Sequence, residues 1–262
     1  MTEYSRSDLL AMLRSPDPAE RDEVAYFAIV RRVATGAEDA SLVSLGDEMT
    51  GRLADPEIQV RTFGALILGE IVKRDASTGG ADADAVPRWR DAFTAWYPAE
   101  ADLRGWDGRL GWLHAVAHGA DTLAAFGRSP RLGREDLRGL LEVARSRMLA
   151  RTDYVLRDQE DDRLGYALAL VLSRPELSAA DSVEWLAPVA ADFDRGEPGP
   201  VPASASNAMR TLRSLYLLCD RGFRCPEATQ GEVGAPVLAV THREELRAAL
   251  AATLRHAWPY LA

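Results

Sequence analysis

The chain has 262 residues, and its content of 47% hydrophobic and 27% charged residues is ordinary for a globular protein with a sizeable core. Its formal net charge of −9 disfavours broad binding to nucleic acid. No apolar run approaches the ~18 residues of a membrane helix, and the first residues lack the pattern of a secretory signal. Cys219 and Cys225 match no common zinc motif and are typical of reduced thiols. We therefore expect a cytoplasmic protein that binds neither nucleic acid nor membrane.

Two amphipathic helices are predicted in the first third of the chain, and each begins at an Asp-Pro pair. In "DPAERDEVAYFAIVRRVATG", Asp17 can cap the helix, Pro18 suits its first turn and Gly36 can end it. In "DPEIQVRTFGALILGEIVKRD", Asp55 and Pro56 repeat this arrangement 38 residues later, and "SLVSLGDEMTGRL" supplies a helix between the two. A period of ~40 residues is typical of HEAT-type helix pairs.

The rest of the chain is also dominated by helical patterns. Besides the histidine segment treated below, the predicted helices are "AVPRWRDAFTAWY", "REDLRGLLEVARSRMLA", "EDDRLGYALALVLS", "SAADSVEWLAPVAADF", "SASNAMRTLRSLYLLCDRG" and "THREELRAALAATLRHAW". Pro188 should kink or split the fourth of these helices. Alternating strand patterns are nearly absent, and "APVLAVT" is the best short candidate for a strand.

These elements predict an all-α protein with one domain over residues 1–262. Loops are expected at 75–86 and 194–206, where glycine, proline and small polar residues accumulate. The simplest architecture is a HEAT-like, right-handed α-solenoid of stacked antiparallel helix pairs. An α/α toroid or an irregular bundle is the alternative.

The segment "GRLGWLHAVAHGADTLAAFG" contains two of the four histidines, and its periodicity predicts one helix from Arg109 to Phe126. At about 100° per residue, His118 lies about 40° from His114 on such a helix, and Asp121 about 20° to the other side. The three side chains would therefore share one stripe. Small residues around Gly119 would let another helix pack closely beside this stripe.

Two imidazoles four residues apart on a helix can bind one divalent ion. With the carboxylate of Asp121, His114 and His118 would form a three-ligand set suited to zinc or iron. The spacing is that of HExxH proteases, but Ala115 occupies the position of their glutamate base, so the sequence does not support a protease. The alternative is structural: the histidines donate to nearby carboxylates or carbonyls, or pack in a core.

The loop "AEADLRGWDGRLGW" precedes the histidines and mixes charges with tryptophans. Glu100, Arg104, Trp106 and Trp112 could bind a ligand there. Alternatively, the loop is a salt-bridged entry to the histidine helix, with Asp107 as its cap. Both interpretations stay open at the level of sequence.

Two later segments add polar candidates. In "QEDDRLGY", Asp162 and Arg163 either complement the positive end of a helix or point into the same pocket as the histidines. In "NAMRTLRSLYLLCD", Asn207, Arg210 and Arg213 either hold an anion or form a solvated face. No nucleophile elbow, phosphate-binding glycine loop or dinucleotide motif is present, so the sequence does not support a serine hydrolase, a kinase or a Rossmann dehydrogenase.

Taken together, several segments resemble the bacterial domain-of-unknown-function (DUF) 2785 family over roughly Asp8 to Leu254. The resemblance rests on "EADLRGWDGRLGWLHAVAHGADTL", "EDDRLGYAL", "NAMRTLRSLYLL" and "VRTFGAL". The matching residues are Arg61, Phe63, Glu100, Asp102, Leu103, Arg104, Gly105, Gly111, Trp112, His114, His118, Gly119, Asp121, Asp162, Arg163, Leu164, Asn207 and the run from Leu212 to Tyr216. The family has no assigned activity, but the resemblance implies that these polar residues belong to a shared pattern.

The leading hypothesis is a central polar pocket for a small polar molecule, with metal-assisted or general acid/base chemistry. His114, His118 and Asp121 are the candidate catalytic residues and the candidate ligands of a divalent metal. The candidate ligand-binding residues are Glu100, Arg104, Trp106, Trp112, Asp162, Arg163 and Arg213. The alternative is a non-catalytic helical scaffold that binds a protein or peptide on its concave face. A helical-repeat DNA-repair protein is disfavoured by the acidic balance.

Overall fold

The computed structural model describes residues 4–196, 199–225 and 236–261. Helices account for most of these residues, which confirms the predicted all-α class. The chain divides into two compact units, Met1–Leu132 with Leu156–Glu160, and Gly133–Val155 with Asp161–Ala262. The single-domain organisation stays a prediction. Among the described helices, none combines the length and apolar composition needed to cross a bilayer.

The first unit contains six α-helices and one short hairpin within its described residues. Its helices are α1 (Arg6–Met12), α2 (Phe27–Thr35), α3 (Leu42–Arg52), α4 (Ile58–Thr78), α5 (Ala85–Trp96) and α6 (Ala115–Arg128), and its strands are β1 (Trp106–Asp107) and β2 (Gly111–Trp112). A π-helical segment, Ala19–Tyr26, runs directly into α2, and 3-10 turns cover Asp39–Ser41 and Tyr97–Ala99.

The predicted helix ends in the first unit follow from local chemistry. A side-chain oxygen of Asp17 accepts a hydrogen bond from the Ala19 amide at 2.9 Å. The side chain of Asp55 accepts one from the Glu57 amide at 3.0 Å. Gly36 ends α2 in the left-handed region, with φ of 84°, where a residue without a β-carbon is favoured. The start at Asp17 and the glycine stop are therefore confirmed. The start predicted at Asp55 and Pro56 is wrong, because α4 begins at Ile58 with Glu57 as its N-cap, and Asp55 caps only the turn before the helix.

A π-helical segment precedes α2 directly. Ile29 and Val33, four residues apart on α2, are buried, whereas Phe27 lies on the opposite side of the same helix and is 63% exposed. The π-helical segment contains Arg21, which is completely buried.

Helix α4 is the central helix of the first unit, and most of its residues are buried. It packs against α2, α3 and α6. Trp89 and Phe93 of α5 are fully buried, and Trp96 is nearly so, as the amphipathic pattern of that helix predicts. This core fixes the position of α6 and of the loop that leads into it.

The second unit is also helical over its described residues. Its helices are α7 (Arg134–Leu149), α8 (Glu160–Leu172), α9 (Ala179–Glu184), α10 (Ala187–Asp194), α11 (Ala203–Arg221) and α12 (Arg243–Ala257), and α8 takes its first residue from the first unit. A short antiparallel pair joins β3 (Phe223–Arg224) to β4 (Val237–Leu238), within the predicted "APVLAVT". The predicted split at Pro188 is confirmed, because α9 ends at Glu184 and α10 begins at Ala187.

The two predicted loops are shorter than expected. Helix α4 continues to Thr78 and α5 begins at Ala85, so residues 79–84 form the first loop. Residues 195–202 separate α10 from α11, and residues 197 and 198 of this loop lie outside the described residues.

Candidate functional site

The histidine segment is not the single helix that its periodicity predicts. Gly111 and Trp112 form β2, which pairs with β1 in an antiparallel hairpin, and α6 begins only at Ala115. His114 precedes the helix with φ of 46° and ψ of 39°, in the left-handed region. The prediction of a helix starting at Arg109 is therefore wrong. Periodicity cannot detect a hairpin whose strands are only two residues long.

The hairpin turn is held by Asp107. One side-chain oxygen of Asp107 accepts hydrogen bonds from the amides of Arg109 and Leu110, both at 2.9 Å. The other accepts one from Arg104, whose remaining guanidinium bonds go to Asp102 at 2.6 and 2.9 Å. Asp107 was predicted to cap the histidine helix, and it caps the hairpin turn instead. The loop therefore contains ion pairs of Arg104 with Asp102 and Asp107, and its role in ligand binding stays a prediction.

A buried arginine connects the hairpin to the helical core. One terminal nitrogen of Arg21 donates to the carbonyl oxygen of Leu110 at 2.6 Å, and the other donates to Ser15 at 3.2 Å. The Arg21 guanidinium also lies over the ring of Phe63, 4.9 Å from its centroid. Its Nε donates to Asp22 at 2.7 Å. Sequence analysis did not identify Arg21, since nothing in its spacing separates it from the neighbouring charged residues.

The two histidine rings face each other across the start of α6. Their centroids are 5.7 Å apart and their planes are inclined by 22°. His114 also contacts the indole of Trp112 at 4.3 Å between centroids, and His118 meets the edge of Phe63 at 5.3 Å. His114 and His118 are 8% and 6% exposed, so both imidazoles lie just beneath the surface.

The aromatic contacts continue outward to solvent. Trp106 packs edge-to-face on Trp112 with centroids 4.8 Å apart, and the two residues are 54% and 42% exposed. Trp106, Trp112, His114, His118 and Phe63 together form an aromatic row. The row therefore runs from an exposed tryptophan pair to a buried phenylalanine, with the two histidines between them.

Close packing holds α6 in register with its neighbours. A β-carbon built on Gly119 would lie 2.1 Å from a ring carbon of Tyr97, so only glycine fits there. The Tyr97 hydroxyl donates to the Val116 carbonyl at 2.7 Å. Thr122 donates to the carbonyl oxygens of Ala65 in α4 at 2.7 Å and His118 at 2.9 Å. The close approach predicted at Gly119 is thus made by a tyrosine ring.

Glu100 forms a buried ion pair at the start of the same loop. Its two carboxylate oxygens accept hydrogen bonds from Arg61 at 2.6 and 2.9 Å, and Trp96 donates to one of them at 3.0 Å. Burial alone would raise the pKa of Glu100, but Arg61 and the amide of Asp102 hold it below its ordinary value. This pair joins the family-like segment around Arg61 to the loop of the site.

The remaining predicted residues have different environments. Asp121 is half-buried on α6, three residues after His118. In the second unit, Asp162 is exposed on α8, Arg163 is half-buried on the same helix and Arg213 is exposed on α11. The structure brings together Trp106, Trp112, His114 and His118, and it places Glu100 and Arg104 in the preceding loop. The grouping of all these residues in one pocket stays a prediction.

The predicted metal site of His114, His118 and Asp121 is not supported by a cluster of metal-ligating side chains among the described residues. Over the described ranges, no three side chains of His, Cys, Asp or Glu are grouped as the ligands of one ion would be. The assignment of His114, His118 and Asp121 as metal ligands therefore stays a prediction from the sequence.

Comparison with known protein families gives one result. Residues 49–217 match the family described as "Protein of unknown function (DUF2785)". This range includes α4, the Glu100 loop, the hairpin, α6 and α8. Neither the curated proteins nor the solved structures contain a match. Because the match covers well over half of the 262 residues, the chain belongs to the DUF2785 family.

Proposed function

We propose that the aromatic row binds a small polar molecule and that His114 and His118 transfer protons to or from it. The observation that carries this proposal is the backbone of His114. Its φ of 46° and ψ of 39° lie in a region that costs a residue with a β-carbon about 1–2 kcal/mol. Such a conformation persists where its surroundings impose it, and functional sites are enriched in it.

The surroundings that impose this conformation are visible on both sides of His114. The carbonyl oxygen of Gly105 accepts hydrogen bonds from the amides of Leu113 at 2.8 Å and His114 at 3.3 Å. The carbonyl oxygen of His114 accepts the amide of His118 at 2.8 Å, which forms the first turn of α6. The backbone thus fixes the imidazole of His114 between Trp112 and His118.

The side chains of the aromatic row combine a surface that can bind a molecule with groups that can exchange protons with it. The exposed faces of Trp106 and Trp112 can stack on a planar group or attract a cation. An imidazole exchanges protons near neutral pH more readily than any other side chain. Arg104 retains 43% of its side-chain exposure despite its two carboxylate partners, so it can still contact an anionic group.

The two histidines can act as proton carriers or as ligands of one divalent ion. Their ring centroids are 5.7 Å apart, so both rings can face one bound molecule. We propose the proton-carrying role, with Asp121, which lies on α6 like His118, as the accompanying carboxylate.

We further propose that the protein is cytoplasmic and that α2 to α5 are HEAT-like repeats of a right-handed stack. The two Asp-Pro pairs lie 38 residues apart and each precedes a helical segment, and this spacing supports the repeat assignment. The packing of α3 against both α4 and α5 agrees with antiparallel helix pairs.

The proposal can be tested with a panel of small polar compounds that includes nucleobases, amino acids, sugar phosphates and amides. NMR spectra of the indole and imidazole groups would report binding. At least one compound should shift the signals of Trp106, Trp112 and His114 with saturation. The variant His114→Asn should abolish this binding, because asparagine accepts the left-handed backbone but lacks the imidazole. His256→Asn, at an exposed position in the second unit, is the matched control.

A second candidate function is binding of a protein partner. It is favoured by the exposure of Trp106 and Trp112, since exposed aromatic side chains are enriched at interfaces. Under this hypothesis, Trp106→Ser would abolish partner capture while His114→Asn would leave it unchanged. Capture of a partner that is lost equally in the two variants, or in neither, would contradict this second hypothesis.

A further inference from the structure

A cavity in the second unit is formed entirely by two helices and the residues that follow them. It has a volume of about 210 Å³ and is lined by Arg213, Tyr216, Ala251, Leu254, Trp258 and Leu261. Helix α11 supplies the two polar side chains, and α12 with its C-terminal extension supplies the apolar walls. No residue of the aromatic row takes part in it.

Arg213 differs from the arginine one turn before it. Arg210 forms an ion pair with Asp161, with its Nε 2.6 Å from a carboxylate oxygen, so its charge is compensated. Arg213, in contrast, makes no ion pair within 4.0 Å to any residue of the described ranges. Its planar guanidinium can therefore accept an external anion, for which a carboxylate has the matching fork geometry.

The walls of the cavity determine the size and polarity of the rest of the ligand. Ala251, Leu254 and Trp258 offer aliphatic and aromatic surface, and the Tyr216 hydroxyl lies one turn beyond Arg213 on the same face of α11. The volume is below the roughly 300 Å³ at which pockets for drug-sized ligands begin, so the ligand should have about ten heavy atoms. A strongly hydrated anion such as phosphate would gain nothing from these apolar walls.

We propose that this cavity binds a small monocarboxylate with an apolar body. The carboxylate pairs with Arg213, and the apolar body packs between Leu254 and Trp258. The inference does not depend on the function proposed for the aromatic row, because the two sites share no residue.

The test uses the full chain and three probes: 3-phenylpropanoate, its neutral amide and inorganic phosphate. The indole N–H signal of Trp258 in NMR spectra reports occupancy. We expect 3-phenylpropanoate to bind with a Kd of about 1 mM, since a ligand of about eleven heavy atoms supports no more than weak binding at one arginine. The amide should bind about tenfold more weakly, because it lacks the charge. Inorganic phosphate should cause no change in the chemical shift of the Trp258 indole N–H.

Two variants isolate the contribution of the arginine. Arg213→Gln should weaken 3-phenylpropanoate about tenfold, whereas Arg255→Gln, at an exposed α12 position outside the cavity, should leave its affinity unchanged. Circular dichroism verifies that both variants fold. Equal affinity for acid and amide, equal shifts with phosphate, an unchanged Kd in Arg213→Gln, or no saturation of Trp258 by 3-phenylpropanoate would overturn the proposal.

Discussion

His114 and His118 hold their imidazole rings 5.7 Å apart, although only His118 lies inside helix α6. On a continuous helix, the spacing of four residues would place both rings on one stripe. Here the left-handed backbone of His114 turns the chain out of the hairpin and still brings its ring to the same face. The two rings are therefore in contact even though His114 is not part of the helix from which that contact was predicted.

The backbone of His114 gives the first prediction. His114→Gly and His114→Ala both remove the imidazole, so their difference in unfolding free energy reports the backbone alone. We expect the glycine variant to be more stable by about 1 kcal/mol, because glycine adopts positive φ without a steric cost. Chemical denaturation of both proteins measures this difference.

An exposed position inside a helix provides the control for this comparison. At Ser146 of α7, alanine should be more stable than glycine by about 1 kcal/mol. If the order at His114 matched the order at Ser146, the helix would begin before His114, as the periodicity alone predicts.

The contact between Gly119 and Tyr97 gives the second prediction. A β-carbon at Gly119 would lie 2.1 Å from the ring, which is fully buried and cannot move without disturbing the core. Gly119→Ala should therefore destabilise the protein by about 2 kcal/mol. Gly139→Ala in α7, where no atom lies within 4 Å of the added carbon, should stabilise it by about 0.5–1 kcal/mol. Thermal unfolding of the two variants should show shifts of opposite sign.

The buried Arg21 gives the third prediction. Lysine cannot reproduce the hydrogen bonds that its guanidinium makes to Ser15, Asp22 and Leu110. We expect Arg21→Lys to lower the free energy of unfolding by about 3 kcal/mol, because it leaves buried groups unpaired. Urea denaturation followed by tryptophan fluorescence measures this loss. Arg31→Lys, at an exposed position of α2, should change stability by less than about 0.5 kcal/mol. Similar values for both variants would show that Arg21 does not hold the hairpin.

The buried Asp181 of the second unit gives a prediction for pH dependence. Arg134 donates to both of its carboxylate oxygens, and this pair, opposed by burial and helped by Ser178, holds the pKa of Asp181 well below its ordinary value. A carboxyl whose pKa is lower in the folded state stabilises the fold above its unfolded pKa, and this stabilisation disappears as the pH falls through the folded value.

Asp181→Asn should therefore cost on the order of 2 kcal/mol at pH 7, and the gap to the wild-type protein should narrow below about pH 4. Denaturation curves at several pH values measure the gap. Glu184→Gln, at an exposed position of the same helix α9, should show no such narrowing. A constant gap for Asp181→Asn across the acidic range would contradict the assigned ion pair.

Much of the fold could be predicted where one short segment determines its own structure. The start at Asp17, the stop at Gly36 and the split at Pro188 depend on residues within one turn of each other. The buried face of α5, with Trp89 and Phe93, follows from the helical period alone. These features are predictable because they depend on local residues.

The hairpin depends on contacts between distant residues, which no local pattern contains. The hydrogen bond from Arg21 to Leu110 joins residues 89 positions apart. Arg21 is buried within a π-helical segment, which helical periodicity does not predict. In the site itself, the sequence identified Trp106, Trp112 and both histidines, because their types and clustering are local features. It did not identify Arg21, whose role exists only in the folded chain.

The proton-carrying role of His114 is the central claim, and the pH dependence of tryptophan fluorescence tests it most directly. A protonated imidazole quenches an indole that it contacts, and Trp112 lies 4.3 Å from His114 between ring centroids. The fluorescence of the wild-type protein should fall as the pH is lowered and His114 gains a proton, and the curve of His114→Asn should lack this fall. Superimposable curves for the two proteins would show that His114 exchanges no proton, and that result would contradict the proposed role.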